Sequence, residues 1–159
     1  MIILGIDPGT QILGIGIIKA EKNSPVYKFN KDLILKKIKD RRIKFTTIFN
    51  EINNIIDEYS IDEISLEKAF TDKDYHASEM LNQVRGIIWL ISGLRNIPLS
   101  EYAPAKVKKI LTGNGRADKI SVQKIVELTI NKTFTGTTDS IDALAIALCH
   151  YYLSNKLPL

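Results

Sequence analysis

Two carboxylates end segments that are otherwise apolar. Asp7 follows the run Ile2–Ile6, and Glu67 follows a segment that contains Ile64 and Leu66. An ionised carboxylate is expensive to bury unless it is paired or binds a metal ion. Each residue also has an ordinary explanation, because Asp7 could cap the turn that follows it and a strand glutamate commonly faces solvent. Neither residue identifies a functional site by itself.

A second pair of carboxylates begins the last apolar segment of the chain. Asp139 and Asp142 are three residues apart, so they project from nearly the same face of a helix. Acidic residues are favoured at a helix N-terminus, which accounts for Asp139 as an N-cap. A preference for acids at the helix N-terminus accounts poorly for Asp142, because its neighbours Ile141 and Ala143–Leu148 are apolar. A helix that is apolar all round is buried. We therefore expect Asp142 to face the interior or a cleft.

Together, these four carboxylates are the ligands that a hard divalent cation prefers. Oxygen ligands suit Mg²⁺ or Mn²⁺, whereas one cysteine and two histidines form no zinc cluster. His150 lies eight residues beyond Asp142, about 12 Å along a helix, and is too far away to share an ion. Two ions about 3.5–4 Å apart can activate a water molecule and stabilise the leaving oxygen of a phosphodiester. The predicted chemistry is therefore metal-dependent phosphodiester hydrolysis, with basic residues holding the flanking backbone.

The elements that position these residues follow from hydrophobic periodicity. We predict five strands, at Ile2–Asp7, Ile12–Lys19, Val26–Leu35, Glu63–Ala69 and Leu99–Tyr102. We predict helices at Arg41–Glu58, Tyr75–Leu94, Pro104–Leu111, from Asp118 or Ser121 to Ile130, and Asp139–Leu153. Three consecutive strands followed by alternating helices and strands predict an α/β fold of the ribonuclease-H-like class, with a five-stranded mixed sheet and helices on both faces.

Composition restricts the class of protein. The 159 residues are 45% hydrophobic and 25% charged, which predicts a single domain over 1–159 with a sizeable core rather than disorder. The apolar runs are shorter than the roughly 20 residues that span a bilayer, and the N-terminus lacks the features of a signal peptide. One cysteine allows no intramolecular disulfide. We therefore expect a cytoplasmic protein without membrane contact.

The charge distribution is compatible with a polyanionic partner. The net charge is +4, and the segment Lys31–Lys44 holds seven basic residues against two acidic ones. The segment Ser100–Lys132 holds seven basic residues against three. Such a bias suits nucleic acid, although solvated helix faces explain the charge equally well.

Five segments, in this order, resemble the RuvC family of Holliday-junction resolvases. They are the segments Ile3–Thr10, Leu66–Phe70, Glu101–Lys109, Gly113–Lys119 and Asp139–Ala147. The stretch Gln83–Gly86 also resembles the long helix of this family. Any one motif is weak, but the five together cover nearly the whole chain in the order and spacing of the family.

The resemblance implies a homodimeric, metal-dependent endonuclease that nicks two strands of a four-way DNA junction symmetrically. It implies two Mg²⁺ ions in each active site, with Mn²⁺ as a substitute. It assigns metal binding and catalysis to the four carboxylates, and it matches Lys108 and Lys119 to basic residues near the scissile phosphate. We expect Lys119 to take part in catalysis and the remaining DNA contacts to come from Phe70, Lys106, Lys108, Lys109 and Arg116.

Phe70 corresponds to the family's aromatic residue near the junction centre. An aromatic residue at a strand end commonly belongs to the core, but in this context we expect Phe70 to stack on an unpaired base.

The chain departs from the family pattern at Lys68, where cellular members usually carry Gln, and at Arg116, which adds charge to the glycine loop. It also ends soon after the last helix. These departures leave open the strictness for four-way junctions, cooperation with a branch-migration motor, and a phage origin.

Three other functions are compatible with parts of the sequence. The segment Gly5–Thr10 also resembles the phosphate loop of sugar kinases and actin-like ATPases, but those need a second such lobe. Another ribonuclease-H-like nuclease, acting on RNA–DNA hybrids or precursor RNA, is the main alternative. A module that binds junctions without cutting them would not need four acids.

The helix Tyr75–Leu94 has apolar residues on more than one side, which predicts either a dimer contact or complete burial within the monomer.

Overall fold

The computed structural model describes residues 1–22, 24–68, 75–136 and 138–154, with the backbone alone at 75–78. The strands are β1 Ile2–Asp7, β2 Ile12–Ala20, β3 Pro25–Ile34, β4 Glu63–Glu67 and β5 Leu99–Tyr102. The helices are α1 Arg41–Tyr59, α2 Tyr75–Arg95, α3 Pro104–Thr112, α4 Lys119–Ile130 and α5 Asp139–Ser154. All ten elements were predicted, with small differences at their ends.

The strands form one mixed sheet in the order β3-β2-β1-β4-β5. The first three strands are antiparallel neighbours, whereas β4 and β5 pair parallel to β1 and to β4 respectively. The five-stranded mixed sheet predicted from the sequence is therefore confirmed. Lys68 lies beyond the end of β4, but its N–H still donates to the carbonyl oxygen of Tyr102 over 2.8 Å.

Helices cover both faces of the sheet, as predicted. One buried cluster contains Leu4, Ile6 and Ile15 together with apolar residues of α1 and α2. A second cluster on the other face contains Ile3 and Ile18 together with apolar residues of α3, α4 and α5. Asp118 is the N-cap of α4 and accepts a hydrogen bond from the Ser121 N–H, which decides between the two predicted starts of this helix.

Glycines on β1 and β2 allow α5 to lie directly on the sheet. A Cβ atom on Gly5 would lie 2.0 Å from the carbonyl oxygen of Ala143, and one on Gly14 would lie 2.1 Å from that of Asp139. No side chain larger than hydrogen fits at either position. The close approach brings the first turn of α5 next to the end of β1.

None of the helices in the described ranges is long and apolar enough to cross a lipid bilayer.

Candidate active site

The strand register brings the carboxylates to one row of the sheet. Asp7 pairs with Gly14 on β2, and the pair Ile6–Leu66 places Glu67 next to Asp7 on the neighbouring strand. Directly opposed residues of neighbouring strands share a face of the sheet. Since the carbonyl oxygen of Asp139 lies against Gly14, the helix that carries Asp139 begins beside the same row.

Three of the four predicted acids form a compact group. Asp7, Asp139 and Asp142 each offer a carboxylate oxygen, and these three oxygens lie within 4.8 Å of one another. Glu67 lies beside them, and its carboxyl group shares a hydrogen bond with that of Asp7. Chain segments that are 132 residues apart in sequence therefore supply one cluster, since Asp7 belongs to β1 and Asp139 to α5.

The cluster opens into a cavity of about 230 Å³. Its lining combines charged and apolar side chains. The charged residues are Asp7, Glu67, Lys108, Lys119 and Asp142, and the apolar ones are Pro104, Val107, Val122, Ala145 and Ile146. A phosphate in this cavity would meet both cationic and anionic side chains.

Burial and mutual repulsion disturb the titration of the acids. Burial, followed by the charges of Glu67, Asp142 and Asp139, raises the pKa of Asp7 to about 8 from its ordinary value of 3.8. Burial also raises the pKa of Glu67 and that of Asp139. Burial and repulsion make the ionised form of Asp7 unfavourable. A cation bound beside the acids would remove the repulsion and favour the ionised form, so the cluster attracts cations.

A lysine already supplies one positive charge to the cluster. Lys119 Nζ lies 2.6 Å from Asp142 Oδ2 and 3.9 Å from Asp139 Oδ1. Burial lowers the pKa of Lys119, but the hydrogen bond from its ammonium to Asp142 and the surrounding acids outweigh burial and raise it overall. The sequence offered no visible basic partner for the acids. The fold provides one, since Lys119 is the first residue of α4.

The carboxylates fit a hard divalent cation. Their oxygens converge, they carry excess negative charge, and they already hold an ammonium group at hydrogen-bond distance. Oxygen ligands with this charge are typical of Mg²⁺ and Mn²⁺ sites. The residues that could hold such an ion are Asp7, Asp139 and Asp142, with Glu67 adjacent.

Of the other predicted DNA contacts that lie in the described residues, one lines the cavity and three do not. Lys108, on α3, lines the cavity, and its charge lowers the pKa of Glu67. Lys106, Lys109 and Arg116 are exposed and do not line the cavity. Gly113 ends α3 as its C-cap, with a φ of 76°. Phe70 lies outside the described residues.

Two basic residues near the site were not predicted. Arg85 lies on α2, which covers the face of the sheet opposite to α5, and it forms an ion pair with Glu101. Its charge partly offsets the rise that burial causes in the pKa of Glu67. Lys44 Nζ donates to the carbonyl oxygen of Thr10 over 2.9 Å, which holds the turn that follows Asp7. Neither role has a signal in the local sequence, because each contact joins separate elements of the chain.

His150 and Cys149 are buried in the core rather than exposed at the carboxylate cluster. His150 is buried; its Nδ1 lies 2.7 Å from the hydroxyl of Tyr102, and its Nε2 contacts the carboxylate of Glu63. Cys149 is also buried, and burial raises the pKa of its thiol to about 12. A thiol with that pKa is a poor nucleophile.

Sequence comparisons identify the family. A family model described as "Crossover junction endodeoxyribonuclease RuvC" matches residues 3–150. RuvC of Christiangramia forsetii is 38% identical, over 98% of this chain and 81% of that protein. RuvC of Pseudothermotoga lettingae is 35% identical, over 98% of this chain and 96% of that protein.

A solved structure shares the fold. Thermus thermophilus RuvC in complex with a Holliday junction substrate matches with a TM-score of 0.91 and 21% identity, over 98% of this chain and 96% of that one. The ribonuclease-H-like class predicted for this chain is thereby confirmed. From the length of these matches and the identities of its relatives, the chain belongs to the RuvC family of crossover junction endodeoxyribonucleases.

Proposed function

We propose that this protein is a divalent-metal-dependent endonuclease that resolves four-way DNA junctions by paired, symmetric nicks. The observation that carries the proposal is the convergence of Asp7, Asp139 and Asp142 next to Lys119, at a cavity that Asp7, Asp142 and Lys119 line. A similar fold was solved with a Holliday junction substrate, which supports the choice of DNA. The site of action would be the cytoplasm, where bacterial or phage DNA recombines.

The proposed cofactor is Mg²⁺, with two ions in each active site and Mn²⁺ as a substitute. Asp7, Glu67, Asp139 and Asp142 would hold the ions. When bound, these ions supply an activated water molecule and charge neutralisation at the phosphate. The disturbed titration of Asp7 supports this proposal, since bound cations would remove the repulsion between the acids.

The lysines of the cavity would hold and stabilise the reacting phosphate. Lys119 and Lys108 present ammonium groups to the space in front of the acids. Negative charge that develops on the phosphate in the transition state is stabilised by such preorganised cations. Lys106, Lys109 and Arg116, which are exposed, would bind the flanking backbone, and Phe70 would stack on an unpaired base.

A symmetric product requires two copies of the site, so we propose a homodimer built on α2. Trp89, Leu90 and Leu94 are exposed on this helix although all three are large and apolar. Gly86 and Gly93 lie on the same exposed face, where they allow a second helix to approach closely. A two-fold contact of this face would use the same surface on both copies.

The experiment is a comparison of labelled substrates with Mg²⁺ or Mn²⁺. A four-way junction, an RNA–DNA hybrid and a linear duplex of matched sequence are each incubated with the protein. We expect the junction to be cut at symmetric positions in opposing strands, with little cleavage of the other two. Faster cleavage of the hybrid would favour the alternative ribonuclease-H-like activity, and binding without cleavage would favour a recognition module. ATP turnover, measured in parallel, tests the nucleotide-binding alternative.

A further inference from the structure

A further acid, Asp32, lies in the same row of the sheet as Asp7. Asp7 pairs with Gly14, and Gly14 pairs in turn with Asp32 on β3. Gly14 therefore separates two carboxylates that face the same side, and the first turn of α5 lies over this glycine. Asp32 Oδ1 accepts a hydrogen bond from the backbone N–H of Ser140 over 2.7 Å. Asp32 thus caps a helix that lies more than a hundred residues away in sequence.

A second residue of β3 binds the same serine. Asn30 Nδ2 donates to Ser140 Oγ over 2.9 Å, and the Tyr27 hydroxyl donates to Asn30 Oδ1 over 2.8 Å, which orients the amide. Thr138 Oγ1 lies 2.8 Å from Ser140 Oγ. Ser140 is only 2% exposed, so these contacts are shielded from water. Ser140 lies between Asp139 and Asp142, and any shift of Ser140 moves both acids.

The packing of α5 explains why such contacts are needed. Under its first turns, the sheet presents Gly5, Gly14 and Gly16, which have no side chains to interlock with the helix. The carboxylate oxygens of Asp139 and Asp142 lie within 4.8 Å of one of Asp7, so repulsion between like charges also pushes the N-terminus of α5 away from β1. Asp32 and Asn30 hold the first turn of α5 by their hydrogen bonds to the backbone N–H and the hydroxyl of Ser140. The contacts with β3 oppose both effects.

We propose that Asp32 and Asn30 are positioning residues, which hold the first turn of α5 at Ser140 so that Asp139 and Asp142 converge with Asp7 on one metal ion. The inference rests on the proposed metal site. It adds two residues of β3 that lie outside the group of converging carboxylate oxygens of Asp7, Asp139 and Asp142. Groups that orient metal ligands typically change metal affinity by about 10–100-fold when they are removed.

The test is Mn²⁺ binding to the full chain without DNA, measured by isothermal titration calorimetry. Asp32→Ala should weaken Mn²⁺ binding about tenfold. Asp32→Asn, which keeps an acceptor oxygen, should stay within about twofold of the unmodified protein because Asn and Asp are equivalent helix caps. Asn30→Ala should weaken binding about threefold, since it removes only the neutral hydrogen bond.

Asp40→Ala is the matched control. Asp40 caps α1 and accepts from the Arg42 N–H over 2.8 Å, so this variant loses a cap without any contact with α5. Thermal unfolding of the metal-free proteins should show similar losses for Asp32→Ala and Asp40→Ala. Only the Asp32 variant should lose Mn²⁺ affinity and show a higher Mn²⁺ requirement for junction cleavage.

The outcomes separate the inference from the proposed function. If the unmodified protein binds Mn²⁺ and Asp32→Ala binds it equally well, Asp32 is only a helix cap and the inference is wrong. If Asp32→Asn is as weak as Asp32→Ala, the charge rather than the hydrogen bond matters, and positioning is again wrong. If Asp32→Ala does not fold, Asn30→Ala decides, and an unchanged affinity overturns the inference. An unmodified protein that binds no Mn²⁺ would overturn the metal site itself, and this inference with it.

Discussion

The ammonium group of Lys119 lies 2.6 Å from Oδ2 of Asp142. Each residue occupies the first turn of a different helix, α4 for the lysine and α5 for the aspartate. Lys119 lines the same cavity as Asp7, Glu67 and Asp142, so it borders both the acids and the space where a phosphate would bind. It can therefore reduce the repulsion within the cluster and stabilise negative charge on a substrate.

Replacement of Lys119 by alanine should slow cleavage more than it weakens binding. Removing a single preorganised donor from a transition state costs about 10²–10³ in rate. We expect a loss of that size in single-turnover cleavage of a four-way junction, with junction affinity reduced only about threefold. Lys106→Ala is the control; it should weaken binding and flatten its salt dependence while the rate at saturation is kept. Equal losses of rate and affinity for Lys119→Ala would make Lys119 only a backbone contact.

Neutralising any one of the acids should abolish cleavage and preserve binding. Asp7→Asn, Glu67→Gln, Asp139→Asn and Asp142→Asn each remove a ligand of the proposed ions, so we expect cleavage to fall by at least about 10³-fold. Junction binding should be unchanged or tighter, because a negative charge near the phosphate is lost. Gel shifts without divalent metal and cleavage assays with Mg²⁺ measure the two effects. Asp40→Asn is the control with normal cleavage, and a variant that cuts at the normal rate would exclude its residue from the site.

Asp7→Asn should stabilise the metal-free protein in a pH-dependent way. The folded state raises the pKa of Asp7 to about 8 from 3.8, mainly through burial and then through the charges of Glu67, Asp142 and Asp139. Proton binding to Asp7 therefore contributes stability that is fully present below about pH 4 and is lost as the pH rises to about 8. Asp7→Asn does not lose this stability as the pH rises. Its free energy of unfolding should therefore equal that of the unmodified protein near pH 4 and exceed it by about 1–3 kcal/mol at pH 8.

Thermal or urea unfolding with a chelator over this pH range measures the difference. Adding Mn²⁺ at pH 8 should reverse it, because only the unmodified protein keeps all the ligands and gains stability from binding. A difference between the two proteins that does not change with pH would show that Asp7 titrates normally in the folded state.

A charge on the exposed face of α2 should separate the proposed dimer. Leu90 is 56% exposed, so Leu90→Asp should leave the monomer folded while it places two charges in the contact. We expect sedimentation to show a monomer that binds junctions weakly and loses paired incision. Leu128→Asp is the matched control, because Leu128 is 78% exposed on α4 and lies outside the proposed contact. A monomeric unmodified protein that still makes paired nicks would contradict the two-site mechanism.

The four carboxylates could be predicted from the sequence because each one begins, interrupts or ends an apolar segment. That pattern is local, and the cost of burying a charge makes it informative. The order of strands and helices was likewise readable from periodicity and turn residues, and the predicted sheet and its helical layers are those observed. The dimer contact and the roles of the exposed lysines stay predictions.

The partners of these carboxylates could not be predicted, because they depend on register and on contacts between distant elements. A strand that alternates regularly would place Tyr27 and Asn30 on opposite faces of the sheet. A shift in the β2–β3 register, where Ile17 pairs with Phe29 and Ile18 with Tyr27, brings both residues to the face that α5 covers. Asp32 then meets Ser140, 108 residues along the chain. Hydrophobic periodicity carries no information about a one-residue irregularity in a strand, so the residues that hold α5 in place become visible only when the chain is folded.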